Sequence, residues 1–174
     1  CINKLDGMFS IAFYDKNNKT LLLARDSSGA KPLYWASDRR GFSFSSSINS
    51  LLSLGYTRKL DKIGYRLYDV FGYVPGPKTL FNDINKLYPG QIIKFNLSTK
   101  KQIYNKCIEF SYKPFHPSLK RFDYNGFRNQ VSDSVRKCLM GKRPIGLFLS
   151  GGLDSNMILH ELTQYDNKPK TFTD

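Results

Sequence analysis

The segment Ile145 to Ser155, IGLFLSGGLDS, narrows the choice of fold more than any other part of the chain. An apolar run of strand length stops at Ser150-Gly151-Gly152, and Leu153 to about Gln164 continues as a helix. A buried strand that feeds a helix through a glycine-rich turn is the repeating unit of doubly wound parallel sheets, whose ligands lie beyond the carboxyl ends of the strands. Before it, Phe127, Val131, Val135 and Leu139 recur every four residues across Tyr124 to Met140, an amphipathic helix. After it, Lys170-Thr171-Phe172-Thr173 reads as a second strand. Helix, strand, loop, helix, strand is how an α/β domain opens.

The loop itself has a chemistry. Gly151 and Gly152 let the backbone turn sharply and approach a ligand closely. The helix that follows presents unpaired N–H groups and the positive end of its dipole, with the hydroxyls of Ser150 and Ser155 beside them. Such a cradle suits phosphate or pyrophosphate. Asp154 is the odd member, because a carboxylate repels phosphate; it fits either as a helix-capping group or as a ligand to Mg²⁺ carried with the phosphates. No GK[ST] follows, so this is not a Walker loop, and it is not a G-x-S-x-G elbow. The plain alternative is a strand-to-helix turn with glycines for geometry and serines for capping.

The first half has another texture. GMFSIAFYD is apolar and aromatic, as in a strand buried on both faces, and Asn17-Asn18 turns it into TLLLARD. LYWAS and FSFSS form a second hairpin across Asp38 to Gly41, and GQIIKFN and QIYNK a third across Ser98-Thr99-Lys100. Ser47 to Leu54 reads as a serine-capped helix; a further helix starts at Asp61 with Ile63, Leu67 and Val70 or Phe71 on one face. GYVPGPKTL is irregular, and SYKPFHPSLKR, with two prolines and no periodicity, reads as a linker.

Composition removes several classes of function. Hydrophobic residues at 40% and aromatics at 14% supply a real core. No apolar run approaches membrane-spanning length, and CINKLDGMFS lacks a secretory pattern. The net charge of +13 comes from 27 Lys and Arg against 14 Asp and Glu, scattered through separate turns with no basic run or stripe. A nucleic-acid-binding module would need clustered charge with exposed aromatics, so that reading is disfavoured. Cys1, Cys107 and Cys138 are far apart with no CxxC, which points to a reduced, cytoplasmic compartment. His116 and His160 have no partner at metal-ligand spacing, and Gln164 breaks the HExxH pattern begun by His160-Glu161.

SGGLDS resembles the pyrophosphate loop of the N-type ATP pyrophosphatases. LDGMFSIAFYD, LLLARDSSGAKPLYW, GYVPGPKTLFNDINKLYPG and RPIGLFLSGGLDS, in that order, resemble asparagine synthetases of the glutamine-hydrolysing type, from about Leu5 to Ser155. The resemblance implies a mixed α/β and α+β chain. Residues 1–115 would be the C-terminal part of an N-terminal-nucleophile glutaminase domain of αββα type. Residues 116–174 would open a doubly wound ATP pyrophosphatase domain. A missing initiator Met and a stop inside KTFTD agree with a fragment of a longer protein.

The family frees ammonia from glutamine at a Cys nucleophile, activates aspartate with ATP and Mg²⁺ as β-aspartyl-AMP, and releases asparagine. Its nucleophile lies upstream of the LDGMF strand, so Cys1 is given no catalytic role and the fragment alone is expected to be inactive. By resemblance, Phe148, Leu149, Ser150, Gly151, Gly152, Leu153, Asp154 and Ser155 form the ATP and pyrophosphate site, with Phe148 and Leu149 near the adenine and Asp154 as a Mg²⁺ ligand. Arg25, Asp26, Gly29, Lys31, Pro32, Leu33 and Tyr34 match a family stretch that we read as scaffold. Implied partners are glutamine, aspartate and ATP, with no nucleic acid or membrane and a homodimer allowed. Ser47, Lys142 and Asn156 depart from the family pattern, which leaves open a related amidotransferase or β-lactam synthetase-like enzyme acting on another carboxylate.

Overall fold

In the computed structural model the described residues are 2–107, 122–141, 144–166 and 168–173. They gather into two compact units, within 1–112 and 113–174. Cys1, the linker with His116, Lys142 and the expected boundary at 115/116 lie outside the described residues.

The first unit is built from hairpins. β1 (Ser10–Asp15) and β2 (Thr20–Arg25) pair antiparallel with Asp15 opposite Thr20. The Asp15 carboxylate closes the turn by accepting from the Asn18 amide at 3.1 Å and its side chain at 2.7 Å. β3 (Tyr34–Asp38) pairs with β4 (Gly41–Ser45), and β6 (Gln91–Asn96) with β7 (Lys101–Cys107), at the three turns expected from sequence. A three-residue strand, β5 (Ile84–Lys86), was not foreseen; it pairs with β3. The strands form one sheet in the order β1-β2-β6-β7 and a second in the order β4-β3-β5.

Period-two alternation decides what each face buries. Leu21, Leu23, Ile93 and Phe95 of the first sheet pack with Leu33 and Leu87, against Trp35 and Phe42 of the second. Phe42 and Phe95 have ring centroids 4.1 Å apart, with Trp35 5.2 Å from Phe95. On the other face of the second sheet, Ala36 and Ile84 pack with Tyr56 and with Leu51 of α1 (Ile48–Ser53). The layers are therefore sheet, sheet and helix.

Two expectations need correction here. β1 is not buried on both faces: it is an edge strand, and Phe13 is 61% exposed. With Ile11, Leu22, Ile92 and Ile103, Phe13 lines an open cavity of about 770 Å³ on the outer face of the first sheet. Ser47 does stand at the N-cap of α1, but its side chain makes no capping hydrogen bond. By contrast, Asp61 caps α2 (Lys62–Phe71) by accepting from the Gly64 amide at 2.7 Å. Ile63, Val70 and Phe71 of α2 are exposed.

The stretch from Arg25 to Tyr34 is scaffold in its hydrogen bonding. The buried Arg25 guanidinium donates to the carbonyls of Lys31, Leu87 and Gly29, tying the loop after β2 to the residue that follows β5. Asp26, fully buried, accepts from Ser28 Oγ, Ala30 N and Lys31 N. Burial alone would raise its pKa; the amides of Lys31 and Ala30, the Ser28 hydroxyl and the Phe9 backbone outweigh burial and hold the carboxyl at about 2.

The second unit contains α3 (Tyr124–Cys138), β8 (Gly146–Phe148), α4 (Leu153–Leu162) and β9 (Lys170–Phe172). β8 and β9 run parallel, Phe148 opposite Phe172, joined through α4 as in a βαβ unit. Val135 of α3 and Leu162 of α4 are buried. The predicted α3 stripe lines a groove with Ile145, Leu147 and Ile158. β8 is shorter than the run IGLFLS predicts and is not buried: Phe148 is 82% exposed.

Candidate functional site

The eight residues singled out in sequence lie together at the carboxyl end of β8 and the first turn of α4. Phe148 closes the β8 ladder, and the Leu149 amide extends the pairing by donating to the Phe172 carbonyl at 2.8 Å. Gly151 takes φ +75°, a left-handed conformation that a side chain would strain, and the space where its Cβ would sit is open. Gly152 is the N-cap of α4 in extended conformation, with no side-chain cap.

That assignment corrects one of two roles weighed for Asp154. The helix begins two residues earlier than a capping aspartate would require, so Asp154 sits in the first turn rather than at its cap. Its carboxylate is exposed and makes no ion pair or hydrogen bond among the described residues. A carboxylate at this end of a helix dipole is stabilised without a partner, and stays available to a cation.

Hydrogen bonds fold the loop back onto the helix. Ser155 Oγ donates to the Gly152 carbonyl at 3.0 Å and lies 3.2 Å from Ser150 Oγ. The Gly152 amide reaches Ser150 Oγ at 3.4 Å. Asn156 Nδ2 donates to two carbonyls, Gly151 at 3.1 Å and Gly152 at 2.9 Å, while its backbone amide makes the first helical bond to Gly152 at 3.1 Å. In a trans peptide the N–H points opposite to the C=O. The Gly152 amide is thus taken by Ser150 Oγ, while the Gly152 carbonyl is drawn toward α4, so that the amide following it, that of Leu153, points away from the helix. The amides of Leu153 to Ser155 have no intrahelical acceptor in any case. An open cleft of about 460 Å³ adjoins the loop, lined by Phe148, Leu149, Ser150, Gly151, Phe172 and Thr173.

Sequence reasoning named the loop but not the β9 wall of the cleft, which depends on parallel pairing 24 positions along the chain, from Phe148 to Phe172. It marked Asn156 only as a departure. A side-chain amide four residues after the N-cap, able to reach back to the carbonyl at i−4, was the available signal. Among the described residues no group of three or more His, Cys, Asp or Glu could hold a metal ion, and no helix is long and apolar enough to cross a membrane.

A β-sandwich with hairpin connections followed by a glycine-loop βαβ unit defines the class to look for, and comparison with known families agrees. The profile of the glutamine amidotransferase domain matches residues 1–105, and that of asparagine synthase matches residues 126–173. The chain belongs to the glutamine amidotransferase domain family. It is 31% identical over 172 residues to asparagine synthetase [glutamine-hydrolyzing] 1 of Bacillus subtilis, covering 98% of this chain and 27% of that protein. It is 27% identical over 179 residues to a putative asparagine synthetase [glutamine-hydrolyzing] 2 of Methanocaldococcus jannaschii, covering 99% and 34%. A putative asparagine synthetase [glutamine-hydrolyzing] of Mycobacterium tuberculosis is 29% identical over 178 residues, covering 99% and 27%. The chain thus spans about a quarter to a third of the length of these relatives.

Proposed function

We propose that this chain carries the pyrophosphate loop of a glutamine-dependent asparagine synthetase, together with part of its glutaminase domain. The boundary falls near 115/116, with αββα layering before it and a doubly wound ATP pyrophosphatase sheet after it. The observation that carries the proposal is the set of first-turn amides of α4, left free of side-chain caps at the end of a loop whose Ser150 and Gly151 line an open cleft, in a chain whose relatives are named as asparagine synthetases.

In this reading the amides around Gly151 to Ser155 hold the β- and γ-phosphates of ATP, and the cleft beside Phe148 and Leu149 takes the adenine. The aspartate side-chain carboxylate attacks the α-phosphorus, pyrophosphate leaves, and ammonia from glutamine displaces AMP to give asparagine. Amides already aimed at the leaving group stabilise its charge without reorganising. Asp154 is a lone free carboxylate, which fits Mg²⁺ bound mainly through phosphates and water rather than in an all-protein cage. The ion would there neutralise phosphate charge. Residues 1–105 belong to the glutaminase side and supply no nucleophile in this reading.

The test uses the full-length gene product with ATP, Mg²⁺, glutamine and aspartate, assaying AMP, pyrophosphate and asparagine. All three should form, and Asp154→Ala should lower kcat/KM for ATP about 100-fold. AMP formation with a different carboxylate and not with aspartate would overturn the acceptor while keeping the loop. A folded enzyme that consumes no ATP with any carboxylate would overturn the loop assignment itself.

A further inference from the structure

We propose that Asn156 is a positioning residue for the pyrophosphate loop, acting through the carbonyls of Gly151 and Gly152; the inference rests on the reading of the loop given above. Its side chain bridges the two carbonyls at 3.1 and 2.9 Å, so the amide nitrogen must face both of them. Ser155 Oγ adds a third side-chain bond to the same pair, at 3.0 Å to Gly152. No other side chain among the described residues hydrogen-bonds to the Gly151 carbonyl.

The need for such a bridge follows from the backbone. Gly151 is left-handed and Gly152 extended, and glycine peptides rotate at little steric cost. A rotation of the Gly151–Gly152 peptide would swing a carbonyl oxygen, partially negative, to the open side of the loop where an anion is to sit. Bridging two successive carbonyls from one rigid amide opposes rotation of both peptides together. A shorter serine hydroxyl at this position has a single proton and can satisfy one carbonyl only. Asn156 is therefore a two-point clamp, and the clamp selects the anion-binding orientation before ligand arrives.

Asn156 does not touch the phosphates in this account, so its loss should weaken binding of the anion and leave other substrates alone. In the full-length enzyme, Asn156→Ala should raise KM for ATP and the inhibition constant of inorganic pyrophosphate together, by about 10-fold, with KM for glutamine within about twofold. Asn156→Asp keeps the shape, removes the donor and faces a carboxylate to two carbonyls; its effect should be larger, about 100-fold. Asn156→Ser should fall between wild type and Asn156→Ala, and it decides the matter if either other variant fails to fold. Pyrophosphate inhibition and KM for ATP both within twofold of wild type in the folded variants would overturn the proposal, as would a loss confined to thermal stability. If wild type consumes no ATP, the reading of the loop fails first and this inference falls with it. A normal wild type, an Asp154→Ala weakened toward ATP as expected and an unaffected Asn156→Ala would sink the clamp alone.

Discussion

Asp26 offers the sharpest quantitative test of the first unit. Its Oδ1 accepts from Ser28 Oγ at 2.8 Å and Ala30 N at 2.9 Å, and its Oδ2 from Lys31 N at 3.0 Å. Asn has nearly the same shape but only one acceptor oxygen. Whichever way the amide is turned, its NH₂ faces a backbone N–H, either that of Ala30 or that of Lys31. One buried donor is left unpaired, at about 1–3 kcal/mol, and the remaining bonds lose their charge assistance. Asp26→Asn should therefore destabilise the unit by about 3 kcal/mol at pH 7.

The pH dependence follows from the same geometry. With a carboxyl at about 2 when folded, against 3.8 in its ordinary state, the Asp26 contribution is fully present above about pH 5 and is lost as pH falls through 2. About 1 kcal/mol of it should be gone by pH 3 and about 2 kcal/mol by pH 2. The Asn variant has no carboxyl to protonate there, so the gap between the two proteins should narrow by those amounts. Trp35, the sole tryptophan of the chain, packs on Phe42 and Phe95, so its fluorescence during urea unfolding reports this unit. A gap below about 1 kcal/mol at pH 7, or one that stays constant from pH 7 to pH 3, would refute the argument.

Gly64→Ala should destabilise by about 2 kcal/mol in the same unfolding assay, although alanine favours helix by about 1 kcal/mol, because a Cβ would collide with the Thr79 carbonyl oxygen and lie 3.1 Å from its carbon. An unchanged or raised midpoint would show that α2 can shift freely. The two helix caps should separate: Asp61→Ala, which removes the bond to Gly64 at 2.7 Å and the Lys78 ion pair at 2.9 Å, should cost about 1–2 kcal/mol, whereas Ser47→Ala should cost less than about 0.5. Equal losses would contradict the capping geometry.

Local rules made the hairpins legible. β1–β2, β3–β4 and β6–β7 each join two apolar strands through a short polar turn, and turn chemistry with a period of two is contained within about fifteen residues. β5 was missed because three residues cannot show a period; its pairing with β3 is set by a partner 52 positions away, Tyr34 opposite Lys86. The double burial expected of β1 fails for a related reason. Its composition is that of a buried strand, but sheet order is a long-range property, and β1 ends at the edge beside β2 alone. In the candidate site, motif chemistry singled out eight residues that the fold brings together at a strand end and a helix start. The sequence places the helix start at Leu153, where it begins, yet leaves the role of Asp154 open between capping and cation binding; the N-cap at Gly152 decides against capping.

Helical spacing reports which residues share a face and is silent on what lies against it. The same four-residue recurrence gives Val135 of α3, at 8% exposure with α4 and β8 in its unit, and Phe71 of α2, at 56%. What seats α2 is Gly64, buried in its first turn against the carbonyl of Thr79 and bonded to Asp61. Hydropathy ranks glycine far below Ile63 or Phe71 as a contact residue, yet close approach of a helix to backbone requires the absence of a Cβ. The anchor of that helix is thus the residue with least to bury, and its apolar stripe is available to whatever covers the outer surface.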